Sequence, residues 1–365
     1  MTRLAPAPRA QALALIESVH GGALEAEYPL AIGPGSPVRV LGESVDGAVR
    51  AACVAAPRLF VCGEARLPIG LIGSVTTEPA WRGRGLAARV LERACDELAA
   101  SGCALALLWA ERPDYYAARG WSPMGAQLDF SLPCALAERL PRAPSGSVRA
   151  ARPEDSSALH SLQCAHATRV ERSSRESERL HASCGMRTLV LERAGAPAAW
   201  IAIGKGRDFA HTVHEWAGPT TEVLMLLRHE LEQRRARRVP EPLGWIAPTN
   251  ALQLARELAQ RGCAGQLGCA GQRGILGHGR VIAPRRALEL VAALAGAPVR
   301  APWQPGGELV LAGPRGEVRL EPSELLELLA APRGERACAA RIEAALDIAL
   351  PRLPLEPFAF GLDSL

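Results

Sequence analysis

Residues 67–121, LPIGLIGSVTTEPAWRGRGLAARVLERACDELAASGCALALLWAERPDYYAARGW, decide how the chain is read. Ile69 to Thr77 is an apolar run of strand length carrying Ile69, Ile72 and Val75. Pro79 stops it, because proline brings no N–H to a sheet ladder. Arg82-Gly83-Arg84-Gly85-Leu86-Ala87 then opens a helical pattern with Leu86, Val90, Leu91 and Leu98 on one face, and Gly102 ends it. The N–H groups at a helix start have no intrahelical acceptor, and the helix dipole is positive there. Glycines at 83 and 85 remove the Cβ atoms that would hold an anion away from those N–H groups, while Arg82 and Arg84 add charge-assisted bonds. A surface turn with two arginines is the competing local reading.

The segments that follow favour the anion site. Cys103 to Trp109 is a second short apolar run, and Tyr115 to Trp121 reads as a short helix closed by Gly120 and followed by an aromatic. Outward from this unit, Ala10 to Val19 suits a first helix. Val38 to Leu41, Ala48 to Val54 and Leu59 to Val61 suit strands, with Asp46-Gly47 as a hairpin turn.

The order resembles the GNAT superfamily of N-acetyltransferases. Its Arg/Gln-x-x-Gly-x-Gly/Ala motif is matched by Arg82, Gly85 and Ala87, and its Tyr-x-x-x-Gly-aromatic segment by Tyr116, Gly120 and Trp121. The resemblance implies an α/β (α+β) fold, a mixed, mostly antiparallel sheet flanked by helices, with acetyl-CoA as co-substrate. In that reading Val75, Thr76 and Thr77 hold the pantetheine arm through the strand backbone. Arg82, Gly83, Arg84, Gly85, Leu86 and Ala87 hold the pyrophosphate. Tyr116 protonates the departing thiolate, since a phenol of pKa about 10 matches a thiol leaving group; Tyr115 is its weaker neighbour.

A second pass begins at Val148. Asp155 caps a helix, Thr188 to Leu191 and Ala198 to Ile203 form strands around Gly195, and Val213 to Trp216 takes the place of the cofactor strand. Glu222 to Arg235 is a helix, and residues 242–263 repeat the later strand, helix and glycine. This is a degenerate internal repeat. Where the first copy has Arg82 to Ala87, the second has Ala217-Gly218-Pro219-Thr220-Thr221, which lacks the glycine pattern and loses a donor at the proline. It is expected not to bind CoA in the usual way.

Ala283 to Leu365 forms a third, small α+β segment. Its order resembles a sterol-carrier-like domain, and the tandem plan resembles the enhanced-intracellular-survival (Eis) type acetyltransferases. The domains expected are thus 1–140 (catalytic), 147–282 (degenerate copy) and 283–365, with PRAPSG (141–146) as linker. The Eis-type resemblance implies that the terminal carboxylate, here Leu365, reaches the first domain's site as general base. Glu78, Glu111 and Asp363 are the alternatives. The last residues, FAFGLDSL, are apolar enough to be buried.

Composition limits the remaining classes. With 48% hydrophobic and 22% charged residues and a net charge of +4, the 365-residue chain suits a soluble multidomain protein. No membrane span or secretion signal is legible, and cytoplasmic location is expected. Arg234, Arg235, Arg237 and Arg238 suit a helix C-terminus better than a nucleic-acid patch. His211 and His214 fall on opposite faces of a strand, so no metal is expected. Lys205, between two glycines, reads as a turn residue. The ten cysteines show no Cys-x-x-Cys pair and read as small buried thiols. The expected activity is N-acetyl transfer from acetyl-CoA to a small-molecule or peptide amine by direct attack, because no Cys or Ser lies in a nucleophile motif near Tyr116. A CoA-binding sensor or scaffold without turnover is the rival. Nucleic acid and membranes are not expected partners; self-association stays open.

Overall fold

Strand β2 spans Ala48–Cys62, twice the expected length, and continues through Pro57. Its neighbour β1 (Arg39–Val45) pairs only as far as Ala55, and a later strand joins the same edge only at Phe60. Pro57 falls in the gap, where its missing N–H costs no bond on that edge. The two strands read from the sequence, Ala48–Val54 and Leu59–Val61, are therefore one.

The computed structural model describes residues 6–21, 24–30, 38–206, 209–262, 271–296, 298–304, 306–330 and 336–363. Helices α1 (Pro6–His20) and α2 (Leu24–Glu27) precede β1. After β2 come β3 (Ala65–Thr77), α3 (Leu86–Ala100), β4 (Leu105–Leu108), α4 (Pro113–Ala117), β5 (Ser122–Met124) and β6 (Gln127–Leu132). The second copy follows as β7 (Val148–Ala150), α5 (Ser156–Cys164), β8 (Thr168–Val170), α6 (Ser174–His181), β9 (Arg187–Arg193), β10 (Ala196–Ile203), β11 (Thr212–Ala217), α7 (Thr220–Ala236), β12 (Leu243–Pro248), α8 (Leu252–Gly262), β13 (Gln272–Gly274) and β14 (Gly277–Val281). The third segment holds α9 (Pro284–Ala295), the hairpin β15 (Val310–Gly313) and β16 (Gly316–Arg319), α10 (Pro322–Ala330) and α11 (Ala337–Leu346).

Two seven-stranded sheets result, in the orders β1-β2-β3-β4-β14-β5, with β8 also on β2, and β13-β6-β12-β11-β10-β9-β7. Among the described residues, only β3 with β4 and β11 with β12 run parallel. Each sheet is completed by a strand of the other half: β14 lies between β4 and β5, and β6 between β12 and β13. The exchanged connections meet at Gly125 (φ +62°), where an added Cβ would stand 2.9 Å from the Leu276 side chain and 3.1 Å from the Pro357 carbonyl. The two halves are adjacent in sequence at 141–146 but interlocked in space.

Helix α3 buries Leu86, Val90, Leu91, Ala94, Cys95 and Leu98 on one face of the first sheet. Helix α1 packs Ala12 and Ile16 on the other, against Val54 and Ala56. A larger core joins both sheets and the third segment, from Phe60 and Leu107 through Trp245 to Leu329 and Phe360. Helix α11 closes at Asp347, whose φ of +53° suits a helix terminus.

Four sequence expectations are revised or extended. Asp155 does not cap α5 with its side chain; its carboxylate accepts from the Arg152 N–H at 2.7 Å and holds Arg149 at 2.6 and 2.9 Å. Lys205 does follow β10 between two glycines of positive φ, but it is buried rather than exposed, and its ammonium stands 4.5 Å from the Tyr28 ring. Arg234 turns inward to the Glu241 carbonyl. Of the eight described cysteines, all free thiols, Cys164 and Cys184 are exposed; Cys263 and Cys269 lie outside the described residues. No helix among the described residues is long and apolar enough to cross a membrane.

Candidate active site

The site is built where β3 and β4 part. They pair at Ile69–Leu105, Gly70–Ala106 and Leu71–Leu107, and no further. Above that point β3 carries a bulge: Ala52 of β2 faces Thr76 while Val54 faces Gly73, so Ser74 and Val75 share one partner position. Ser74 takes φ +52° there. A bulge disrupts the ladder locally and sharpens the strand's twist, here just past the point where β3 and β4 part.

The three predicted strand residues do different things. Val75 packs half-buried against the α3-side core. Thr76 points away, its hydroxyl 2.8 Å from His20 Nε2 on α1. The Thr77 carbonyl accepts from Arg82 Nε at 3.4 Å. The loop then bends through Gly83 (φ +76°) and Gly85 (φ +75°) before α3 begins. A Cβ at Gly83 would meet nothing within 4 Å, and one at Gly85 only Arg89 Nη1 at 3.8 Å. The first helix-closing bond runs from the Arg89 N–H to the Gly85 carbonyl at 3.1 Å. The N–H groups of Leu86 and Ala87 thus stand at a bare helix start beside exposed Arg82 and Arg84.

Sequence reasoning missed what braces this loop. Trp81 lies between two guanidinium groups, Arg84 at 4.4 Å and Arg50 at 4.9 Å from its ring centre. Arg50 also pairs with Glu78 at 2.5 Å, so this candidate base is engaged in an ion pair. Arg50 lies on β2, and no local pattern ties it to residue 81.

Tyr116 sits on α4, half-buried, edge-on to Tyr115 at 5.1 Å and to Trp121 at 6.2 Å. Burial, with the neighbouring Tyr115, Cys53 and Glu111, pushes its phenol up to about 12, so it stays a proton donor through the neutral range. Glu111 is exposed beyond the end of β4. Nothing in the sequence singles out His278. It comes from β14 of the second copy, opposite Leu108 and Pro123, and is buried. Burial lowers its pKa, and its Nδ1 has no partner among the described residues.

The chain's end is described as far as Asp363; Leu365, the expected base, lies outside the described residues. Asp363 is buried against Arg172 and is not a free base.

Residues 19–124, from the end of α1 to the end of β5, match the family model of the acetyltransferase (GNAT) domain. The first copy is a GNAT domain. Three solved structures share the fold over nearly the whole chain. The GCN5-related N-acetyltransferase of Anabaena variabilis superposes with a TM-score of 0.67 at 13% identity, covering 100% of this chain and 99% of its own. That of Kribbella flavida gives 0.61 at 13% identity, covering 100% and 99%. Eis1 of Mycobacterium abscessus gives 0.59 at 16% identity, covering 99% and 98%. No curated protein sequence matches. The fold is thus shared with these structures over nearly the whole chain, and the glycine loop falls inside the region matched by the GNAT model.

Proposed function

We propose that the chain is an acetyl-CoA-dependent N-acetyltransferase whose first domain carries the chemistry. The observation that carries this is the unobstructed glycine loop at the start of α3, directly above the parting of β3 and β4. An anion the size of a pyrophosphate can approach bare N–H groups there, and an extended arm can lie along the bulged edge of β3. Val75, Thr76 and Thr77 would hold the pantetheine through their backbone. Arg82, Gly83, Arg84, Gly85, Leu86 and Ala87 would hold the pyrophosphate.

A neutral primary amine then attacks the thioester carbonyl carbon, the carbon–sulfur bond breaks, and the thiolate takes the Tyr116 proton. The amine's proton goes to a base, for which the Leu365 carboxylate is our choice; Glu78, held by Arg50, is less free. The domains in this reading are 1–140, 147–282 and 283–365, with the functional unit requiring all three. The acceptor class is a small-molecule or peptide amine.

Calorimetric titration with acetyl-CoA tests the reading, alongside Arg82→Glu and Gly85→Glu. Micromolar binding lost in both variants, followed by CoA release on adding amines, is the expected result. Binding without release on any amine would favour a CoA-binding scaffold. No binding to the folded wild type would sink both.

A further inference from the structure

Away from the candidate active site, helices α5 and α6 bring a thiol, an imidazole and a hydroxyl into line. His160 and Cys164 lie one turn apart on α5, the spacing at which helix side chains meet. Cys164 Sγ and His160 Nε2 stand 3.6 Å apart. On its other side the ring meets Ser177 of α6, Nδ1 to Oγ at 2.8 Å. Ser177 is 1% exposed, so a buried group from a second helix fixes the ring. Sulfur is a weak acceptor, whereas an S–H group is a donor. The tautomer that suits both contacts has the Cys164 thiol donating to Nε2 and the Nδ1–H donating to Ser177 Oγ. The contact from Sγ to Gln163 Oε1, at 3.9 Å, is the weaker alternative for the thiol proton.

The surroundings keep His160 a free base. Burial lowers its pKa, and the nearby cations of Arg172 and Arg169 lower it further. His181, one turn beyond Ser177 on α6 and edge-on to Trp200 at 4.8 Å, is also held neutral by burial, at about 3. Cys164 itself is exposed at the end of α5. A nucleophile within reach of a neutral base, with the base oriented by a third group, is the arrangement that activates a thiol.

The geometry points to a thiol-exchange site at Cys164 that takes low-molecular-weight disulfides, with His160 as its base and Ser177 as the positioning residue. The thiol proton passes to His160 Nε2 as Sγ attacks one sulfur of the disulfide. The S–S bond breaks, and the departing thiolate takes the proton from Nε2. Cys164 is oxidised to a mixed disulfide and the other half of the small disulfide is reduced to a free thiol, so no further redox partner enters. Exchange asks for open access to a sulfur and a proton acceptor, with no tetrahedral oxyanion to hold. An exposed thiol beside a fixed imidazole supplies both. The inference is independent of the proposed acetyl transfer, since neither the 82–87 loop nor Tyr116 takes part.

Cys184 is the internal control. It is the other exposed thiol among the described residues, and its sulfur has no hydrogen-bond partner among them. The test incubates the reduced full chain with bis(2-hydroxyethyl) disulfide, an uncharged probe, quenches with acid and follows both cysteines by peptide mass spectrometry. At pH 6.5 wild-type Cys164 is expected to exchange about 100-fold faster than Cys184, the usual weight of a general base. Between pH 6.5 and 8 the Cys164 rate should stay nearly flat, because His160 is already neutral. The Cys184 rate should climb about tenfold per pH unit, as the thiolate fraction of an unassisted thiol does. His160→Gln should bring Cys164 to the rate and slope of Cys184. Ser177→Ala keeps the imidazole but removes its anchor, and it serves if His160→Gln fails to fold: the Cys164 rate should fall while its flat profile remains. Equal rates at the two cysteines in wild type, or an unchanged rate and slope in His160→Gln, would overturn the site. A wild-type rate in Ser177→Ala would overturn the positioning role.

Discussion

Replacing Gly85 with alanine separates backbone strain from ligand contact at the proposed phosphate loop. Gly85 holds φ +75° at the start of α3. A Cβ there meets only Arg89 Nη1 at 3.8 Å, so sterics inside the protein add little. The left-handed conformation itself costs an L-residue about 1–2 kcal/mol, or a fall in melting temperature of about 2–4 °C per kcal/mol for a domain of this size. Gly63 is the control: it sits at φ +61° in the β2–β3 turn, where an added Cβ would have nothing within 4 Å, and it is remote from the loop in sequence. Both alanines should lose similar stability. Only Gly85→Ala should lose affinity, because the alanine either keeps the loop and crowds the N–H groups or relaxes to negative φ and turns them away. One lost hydrogen bond to a charged group is worth about 1.5–3 kcal/mol, which is about ten- to a hundredfold in Kd. Calorimetry with acetyl-CoA and thermal melts of both variants measure the two effects. Equal destabilisation with wild-type affinity in Gly85→Ala would refute the assignment of this loop as the phosphate site.

Other outcomes follow from the same residues. Tyr116→Phe should lower kcat about 100-fold or more, the usual weight of a general acid, with acetyl-CoA binding near normal in calorimetry; full activity would remove Tyr116 from the proton path. Because burial raises the Tyr116 phenol to about 12, its contribution to stability is complete below pH 10 and lost as pH rises from 10 towards 12. A near-ultraviolet difference titration of wild type against Tyr116→Phe should show that late ionisation. His181 and His214 are buried and held down to about 3, in each case first by burial and then by nearby cations. Unfolding lets them take up protons, so stability should be full above pH 6.5 and fall progressively as pH drops towards 3; melts across that range check the sign. Phe358→Ala should destabilise by about 3–5 kcal/mol, as for a fully buried aromatic, whereas removing a free tail's side chain would change nothing in the same denaturant melt.

What the chain reveals by itself is local. The strand, the Arg82–Ala87 loop, the amphipathic α3 and the Tyr116–Trp121 turn are consecutive, and each rests on short-range physics: a proline stop, a bare helix start, glycines tolerating positive φ. The degenerate second loop was legible for the same reason, since Pro219 and the missing glycine pattern are visible without knowing any partner. Contacts across the chain were not. Arg50 bracing Trp81, His20 on Thr76 and His278 beside Leu108 are brought together by sheet pairing and by packing of helix and loop on the sheet, which leave no mark at the positions concerned. Lys205 reads in sequence as a turn lysine and Arg172 carries no signal at all, because burial of a charge is decided by what surrounds it: here Glu215, and the carbonyl of Gly361 and carboxylate of Asp363 supplied from more than 150 residues away. The exchange of β6 and β14 is of the same kind. A strand's alternation says that it has a buried face, but not which sheet it joins, because backbone hydrogen bonds are alike everywhere and only three-dimensional packing chooses the partner.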